Sequence, residues 1–455
     1  MCRSPFDTAT AERLKHVKAF ISKLHGLTPK IGRLHSLNSA VFRDSYQDVQ
    51  QPKPKTSETL SNQAQTSSSK AAISIRLLII RFSSFGDIVQ ALSAPFAFKE
   101  KFQQAEIDWL VRQDFAGLLI GNPALSEVLA FDRRQTLWQL INLSWQLSAR
   151  PYTHLYDAHS NLRSAVVLNV FRLRELTPNR LWARVNKKRP RLKIAIRPKN
   201  RLRRFLYFKL GFKTLPEPFR GSASFLWPLE KWGVSAQVPS APLFNPGVAL
   251  SNRVKDEIKF SATKPQGNQR RLRVALVASA AWEMKRWPVV HFQKLIELWP
   301  EANFVLLGGP SDGFLNDIAQ IDPNRILNLA GQLSLAESSE LLNHVDLVIA
   351  NDTGLLHVSD QLGRPTLALI GPSAFGYPSQ KNSYVAELQL ACKPCSKDGR
   401  GRCHNSVYQR CLQELTPEVV LKAAQQIIDS SHSRTSSDFG SGSGSGSRPD
   451  QNLSQ

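Results

Sequence analysis

Four short segments of this sequence carry residue types whose spacing could handle a phosphorylated ligand. Asp352-Thr353-Gly354-Leu355-Leu356-His357 follows an apolar run ending at Ala350. Gly354 would let the backbone approach a ligand closely as a helix begins. The free N–H groups and positive dipole end of that helix suit a diphosphate. Asp352 and Thr353 could equally do no more than cap the helix, and His357, one turn in, could be a core residue or a ligand contact. In Trp282-Glu283-Met284-Lys285-Arg286-Trp287-Pro288, Lys285 and Arg286 precede a helix whose first turn holds Pro288. A cation there would neutralise a phosphate leaving group as a point charge; the plainer alternative is an exposed basic loop anchored by Trp287. Gly308-Gly309-Pro310-Ser311-Asp312 sets a carboxylate after a tight turn, where it could accept from ribose hydroxyls or cap a helix. Asp87 in Ser83-Ser84-Phe85-Gly86-Asp87 falls in the first turn of a helix after an apolar strand. It could deprotonate an acceptor hydroxyl, or merely stabilise the helix start.

These loops need elements that hold them together. Residues 75–82 are mostly apolar, with Leu77-Leu78-Ile79-Ile80 unbroken, as expected of a strand buried on both faces. A second such strand, 273–278, is followed by a helix over 288–299. Further strands at 304–307, 346–350 and 366–370 each run into Gly- or Asp-containing loops. Strands alternating with helices imply parallel sheets covered on both sides. The expected architecture is α/β: two doubly wound domains facing each other across a cleft. Ligands of such sheets bind at the carboxyl ends of the strands, where all four segments lie. The expected divisions are an extension and linker over 1–72, an N-terminal domain over 73–245 and a linker over 246–270. A C-terminal domain over 271–430 and a Gly/Ser tail over 431–455 complete the chain. The extension holds a short amphipathic helix at 11–24 and a Gln-, Pro- and Ser-rich linker at 50–70.

Composition narrows the function. The 455 residues hold 59 Lys and Arg against 36 Asp and Glu, a formal charge of +23, and 42% are apolar. That apolar content supports full cores and excludes wholesale disorder. No apolar run approaches the roughly 20 residues of a membrane span, and no secretory signal pattern opens the chain, so a cytoplasmic location is expected. The charge is concentrated. Between Arg172 and Lys209 there are 15 Lys and Arg and one acid, Glu175. That density points to an anionic partner: a phosphate-bearing lipid, a membrane surface or nucleic acid. Four of the five cysteines, Cys392, Cys395, Cys403 and Cys411, lie within 20 residues. They suffice for a tetrahedral zinc site, but the spacing is not that of paired CxxC motifs, and reduced or loop-stabilising cysteines are the preferred reading.

Taken in order, the four loop segments, with Arg81-Phe82 leading the first and Asn351 the last, resemble glycosyltransferase family 9, the bacterial lipopolysaccharide heptosyltransferases. The segment 152–164, with Asp157 and His159, and the Cys-rich stretch leading into Leu415-Thr416-Pro417-Glu418 are similar to further parts of that family. The resemblance covers roughly residues 73–430. It implies a GT-B fold, two Rossmann-like domains with the acceptor bound by the first and the donor by the second, and an inverting transfer from ADP-heptose that uses no cofactor and no metal. Carried across, Asp87 becomes the general base and Lys285 the cation on the donor phosphate. Asp312 faces the ribose, and Asp352, Thr353, Gly354 and His357 surround the diphosphate and sugar. Ser83, Ser84, Gly86, Asp157 and His159 fall on the acceptor side. The acceptor implied is the lipopolysaccharide inner core, Kdo-lipid A or heptose, and the loop around Asp87 leans toward enzymes that add the first heptose. Held by the Arg172–Lys209 stretch, the protein would sit peripherally on the anionic inner membrane. The sequence departs from the family at Ala278-Ser279-Ala280-Ala281 and Met284, where Pro-Gly and hydroxyl residues are usual, and at Asp360, usually small and apolar.

Other classes remain on the sequence alone. A pI near 10.1 fits a nucleic-acid-binding protein, although the basic stretch carries no recognised nucleic-acid motif and none is expected as a partner. A nicotinamide oxidoreductase would need a G-x-G-x-x-G after an opening strand, which is absent. A family member that only binds nucleotide sugar or anionic lipid fits the altered donor loop.

Overall fold

The computed structural model describes residues 74–186, 190–210, 212–260, 271–437 and 452–453. The extension expected over 1–72, with its helix at 11–24 and linker at 50–70, lies outside the described residues, as does the Gly/Ser run over 440–447.

The apolar runs form strands because each is covered on both faces. β1 (Arg76–Ile80) is followed by α1 (Phe85–Ala91) and α2 (Ser93–Lys101), then β2 (Glu106–Arg112), β3 (Glu127–Phe131), α3 (Leu137–Ala149) and β4 (His154–Asp157). Next come α4 (Leu162–Glu175), α5 (Pro178–Val185), β5 (Lys193–Ile196), α6 (Arg201–Leu210) and α7 (Gly221–Leu226). All five strands are parallel, in the order β3-β2-β1-β4-β5. The order reverses between β1 and β4, whose last residues Ile80 and Asp157 stand opposite each other.

The second half repeats the plan. After α8 (Asn252–Phe260) come β6 (Leu272–Val277), α9 (Val289–Leu298), β7 (Ala302–Leu306), α10 (Leu315–Ala319), β8 (Ile326–Asn328), α11 (Leu335–Leu341) and β9 (Leu347–Asn351). Then follow α12 (Gly354–Leu362), β10 (Thr366–Leu369), β11 (Ser383–Ala386), α13 (Arg410–Gln413) and α14 (Pro417–Ser437). With β12 (Asn452–Leu453) the parallel order is β12-β11-β10-β9-β6-β7-β8, reversing between β6 and β9. Each reversal opens a crevice at the carboxyl ends of two neighbouring strands, the usual binding place in such sheets.

Two boundaries differ from expectation. The linker expected over 246–270 contains α8, because Val254 and Ile258 share one helical face and are buried in the apolar cluster that joins the two halves. The tail expected from 431 begins later, since α14 runs to Ser437, and Asn452–Leu453 pairs in parallel with β11. Among the described residues no helix is long and apolar enough to cross a membrane.

Candidate active site

The first wall of the cleft grows from the end of β1. Arg81, buried, donates from Nη1 to the Ala158 carbonyl (2.8 Å) and pairs through Nη2 with Asp87 Oδ2 (2.5 Å). The Ser84 hydroxyl donates to the same oxygen (2.7 Å). Burial pushes the Asp87 carboxyl up, but Arg81, Ser84 and Arg197 outweigh it and hold it below the usual carboxylate range. Ser84 precedes α1 and its side chain makes no cap bond, while Asp87 stands in the first turn of that helix. His159 Nδ1 accepts from the Phe82 N–H (3.1 Å), and burial together with Arg81 pushes its pKa down to about 4. The imidazole is therefore neutral and carries its proton on Nε2.

The second wall is built at the other reversal. Asn351, fully buried, donates to the Ala278 carbonyl (2.6 Å) and accepts from the Trp287 N–H (3.1 Å), tying the loop after β6 to the end of β9. The Trp287 indole is buried and donates to the Leu415 carbonyl (2.8 Å). This anchor fixes Lys285, whose Nζ lies 2.9 Å from Asp352 Oδ2. Ser373 Oγ donates to the same oxygen at 2.5 Å. Burial raises the Asp352 pKa, but Lys285, His357 and Ser373 bring it below the ordinary value. Thr353 heads α12 without a side-chain cap bond, leaving the N–H groups of the first turn open to a ligand. His357 is buried, its pKa lowered by desolvation, and its Nδ1 has no hydrogen-bond partner among the described residues.

The walls meet where two glycines permit it. A β-carbon on Gly354 would lie 2.2 Å from Phe85 Cδ1, and one on Gly86 would lie 3.1 Å from His357 Cδ2. The first turns of α1 and α12 therefore touch across the floor of a single cleft of about 840 Å³. It brings together Ser84, Gly86, Asp87, His159, Lys285, Asp352, Thr353, Gly354 and His357.

The profile of glycosyltransferase family 9 (heptosyltransferase) matches residues 246–402. Over that span the chain is similar to glycosyltransferase family 9. It is 28% identical to lipooligosaccharide heptosyltransferase 2 of Campylobacter jejuni over 32% of this chain and 48% of the relative. Relatives of that kind are thus matched over about half their length. It is 24% identical to lipopolysaccharide heptosyltransferase 1 of Pseudomonas aeruginosa over 71% of this chain and 86% of the relative. The structure of Escherichia coli ADP-heptose lps heptosyltransferase II superposes with a TM-score of 0.54 at 20% identity, covering 79% of this chain and all of the other. The fold is accordingly GT-B, with the two doubly wound halves facing across the cleft.

Three of the expected site residues lie outside the cleft lining. Asp157 is buried and its carboxylate is consumed locally, accepting from the N–H groups of His159 (2.9 Å) and Ser160 (2.7 Å) and from Ser164 Oγ (2.8 Å). It shapes the loop that presents His159. Asp312 Oδ2 accepts from the Gly309 N–H (2.8 Å), and Oδ1 faces Arg286 at 3.7 Å, so it closes its own turn. Ser83 is half-buried and leaves the wall to Ser84.

Sequence reasoning gave no individual role to Arg197, Lys199, Arg201 and Arg204, which line the cleft beside Arg81. Arg197 stacks on Phe225, 3.8 Å from the ring centroid, and donates to Ser224 Oγ (2.6 Å). Burial and the nearby Arg81 lower its pKa to about 10. Arg204 stacks on Phe375 (4.9 Å), which comes from the second half. The signal was the basic stretch itself: four of its cations turn inward, while residues 187–189 lie outside the described ones. The four clustered cysteines, Cys392, Cys395, Cys403 and Cys411, are free thiols. Together with Met284 all four line a small pocket behind the Lys285 loop. Burial pushes the Cys411 thiol up to about 11, and no group of three metal-ligating side chains is placed to hold an ion among the described residues.

Proposed function

We propose that this chain transfers a heptose from ADP-heptose to the inner core of lipopolysaccharide, with inversion at the anomeric carbon. The observation that carries the reading is the single cleft with an ionised carboxylate, Asp87, on one wall and Lys285, Asp352 and the open start of α12 on the other. The names of the heptosyltransferase relatives, one of them the superposing ADP-heptose enzyme, support the choice of sugar and nucleotide.

In this mechanism the acceptor hydroxyl gives its proton to Asp87 as its oxygen attacks the anomeric carbon. The bond to the diphosphate breaks on the opposite face, and the electron pair leaves with ADP. Lys285 moves from Asp352 toward the phosphate and meets the charge building there, with the N–H groups of Thr353 and Gly354 assisting. His357 lies at the junction of the walls, where the transferred sugar passes. Arg197, Lys199, Arg201 and Arg204 offer four cations to an acceptor bearing phosphates and acidic sugars. Such an acceptor belongs to the cytoplasmic face of the inner membrane, where the protein would sit peripherally.

Calorimetric titration with ADP and ADP-heptose tests the reading. Micromolar binding that is lost in Lys285→Ala, with heptose transfer to a heptose-deficient core, is the expected outcome. Ala281 on the cleft wall and the buried Met284 favour a second reading, a donor-binding protein without turnover; binding with no transfer would select it. No binding of either ligand would overturn both.

A further inference from the structure

The cysteine-rich segment over 392–411 reaches each residue of the lysine loop from Trp282 to Lys285. The Arg400 guanidinium lies over the Trp282 ring, 4.8 Å from its centroid. Gln409 Nε2 donates to the Glu283 carbonyl (2.6 Å). Met284, buried, lines the thiol pocket with the four clustered cysteines and not the cleft. The approach to Lys285 is the tightest. A β-carbon on Gly399 would fall 2.4 Å from both Cγ and Cδ of Lys285. Gly399 has φ +84°, a left-handed conformation that suits glycine, and with no side chain in between its backbone closes directly on the lysine stem. That stem cannot step aside cheaply, because Lys285 is largely buried and its Nζ is tied to Asp352 at 2.9 Å.

The turn that carries Gly399 is itself held. Ser396 Oγ accepts from the Gly399 N–H (2.9 Å) and donates to the Arg400 carbonyl (3.1 Å). The Ser396 N–H donates to the Pro372 carbonyl (3.0 Å), and the Ser396 carbonyl accepts from the Ala374 N–H (3.1 Å). Between those two partners stands Ser373, whose hydroxyl donates to Asp352. The same junction therefore fixes both members of the buried ion pair, Asp352 through Ser373 and the Lys285 stem through Gly399. A lysine carries its charge on a flexible four-carbon stem, and ordering such a stem costs entropy at the moment of binding unless it is ordered beforehand. We propose that Gly399 is a positioning residue for Lys285, clamping Cγ and Cδ so that only the end of the side chain swings from Asp352 to a donor phosphate. The swing to phosphate rests on the function proposed above, whereas the clamp does not. The cysteine-rich segment, which the mechanism leaves without a part, thereby becomes the support of its cation.

A second glycine in the same segment separates clamping from backbone strain. Gly401 also has a left-handed φ, +106°, but a β-carbon there would meet nothing within 4 Å. Gly399→Ala and Gly401→Ala both strain the backbone, and only the first displaces Lys285. In calorimetric titration of the full chain, Gly399→Ala should weaken ADP binding about tenfold or more, with Gly401→Ala within about twofold of wild type. A second arm reads the clamp without any ligand. Lys285→Ala removes Cγ and Cδ, so the drop in denaturation midpoint caused by Gly399→Ala should shrink in the Lys285→Ala background, while the drop caused by Gly401→Ala should not. Equal ADP affinities for the two glycine variants of a chain that binds ADP would overturn the proposal. So would a drop in midpoint that is as large without the lysine stem as with it. A wild type that binds no ADP would sink the proposed function alone, and the denaturation cycle would still decide the clamp.

Discussion

Lys285 and Asp352, carried by the loops after the adjacent strands β6 and β9, form a buried ion pair 2.9 Å long in the wall of the cleft. Each needs the other: a lone buried charge costs several kcal/mol, and removing one member of a buried pair typically costs about 3–5 kcal/mol. Lys285→Ala should therefore lose both ADP affinity and stability to denaturant. Lys285→Met/Asp352→Asn should regain most of the stability and none of the affinity. If the double variant unfolds as easily as the single one, the pair is not what holds the loop.

Asp87 is expected to matter for turnover and little for donor binding, since it lies on the opposite wall. Asp87→Ala should lower kcat by about 100-fold or more with ADP binding within about twofold of wild type. A variant retaining a tenth of the wild-type rate would remove Asp87 from the role of base.

On the proposed mechanism Arg81 sets the pH at which Asp87 accepts a proton. Its guanidinium contacts the Asp87 carboxylate directly and is the chief group drawing its pKa down. Removing the cation raises the pKa, so the proton-accepting form is lost at a higher pH as the solution is acidified. Arg81→Gln should move the acid limb of the kcat/KM profile upward by about one unit. An unmoved limb would mean that the profile reports another group.

The chemistry-bearing loops were legible in the sequence because each follows four consecutive apolar residues, a run that admits few other readings. Asp87, Lys285, Asp352 and His357 came from that pattern and meet in one cleft. What stayed hidden depends on direction. Nothing local says that Arg197 and Arg204, among fifteen cations, turn inward onto Phe225 and Phe375. Nor does a loop carboxylate announce whether it faces a ligand or its own backbone, and Asp157 and Asp312 do the latter. Asp360, out of place as a family residue, proves to be a bracket: it accepts from the N–H groups of Ser379 and Gln380 and from Ser383 Oγ, fixing the segment before β11. Those partners lie about twenty residues away, beyond the reach of spacing arguments.

Stability should fall as the solution is acidified below neutrality, through two imidazoles, His154 buried and His159 half-buried. Desolvation lowers His154 to about 4, where it packs edge-on against Phe98 and Trp232, and His159 is also near 4. The unfolded chain binds protons at these positions near pH 6.5 and the folded chain does not. Their contribution is therefore whole above pH 6.5 and is lost as pH falls toward 4, by up to about 3 kcal/mol for His154 and by less for the half-buried His159, which solvent screens. His154→Phe should flatten the dependence of denaturation midpoint on pH between 6.5 and 4. An equal slope in the variant would place the loss on other groups.

Gly354 should tolerate no side chain at all, for a reason that lies in the other half of the molecule. An added β-carbon would fall 2.2 Å from Phe85 Cδ1, so Gly354→Ala must push α1 and α12 apart. Overpacking of this kind costs about 1–3 kcal/mol, and here the strain falls on the distance between Asp87 and the loop that opens α12. The expected result is a loss of kcat well beyond the loss of stability, since a misplacement of about 1 Å can cost 100-fold in rate. Phe85→Ala in the same chain removes the clash and should restore part of kcat. If Gly354→Ala alone turns over at the wild-type rate, the contact between the two helix starts does not set the reacting distance.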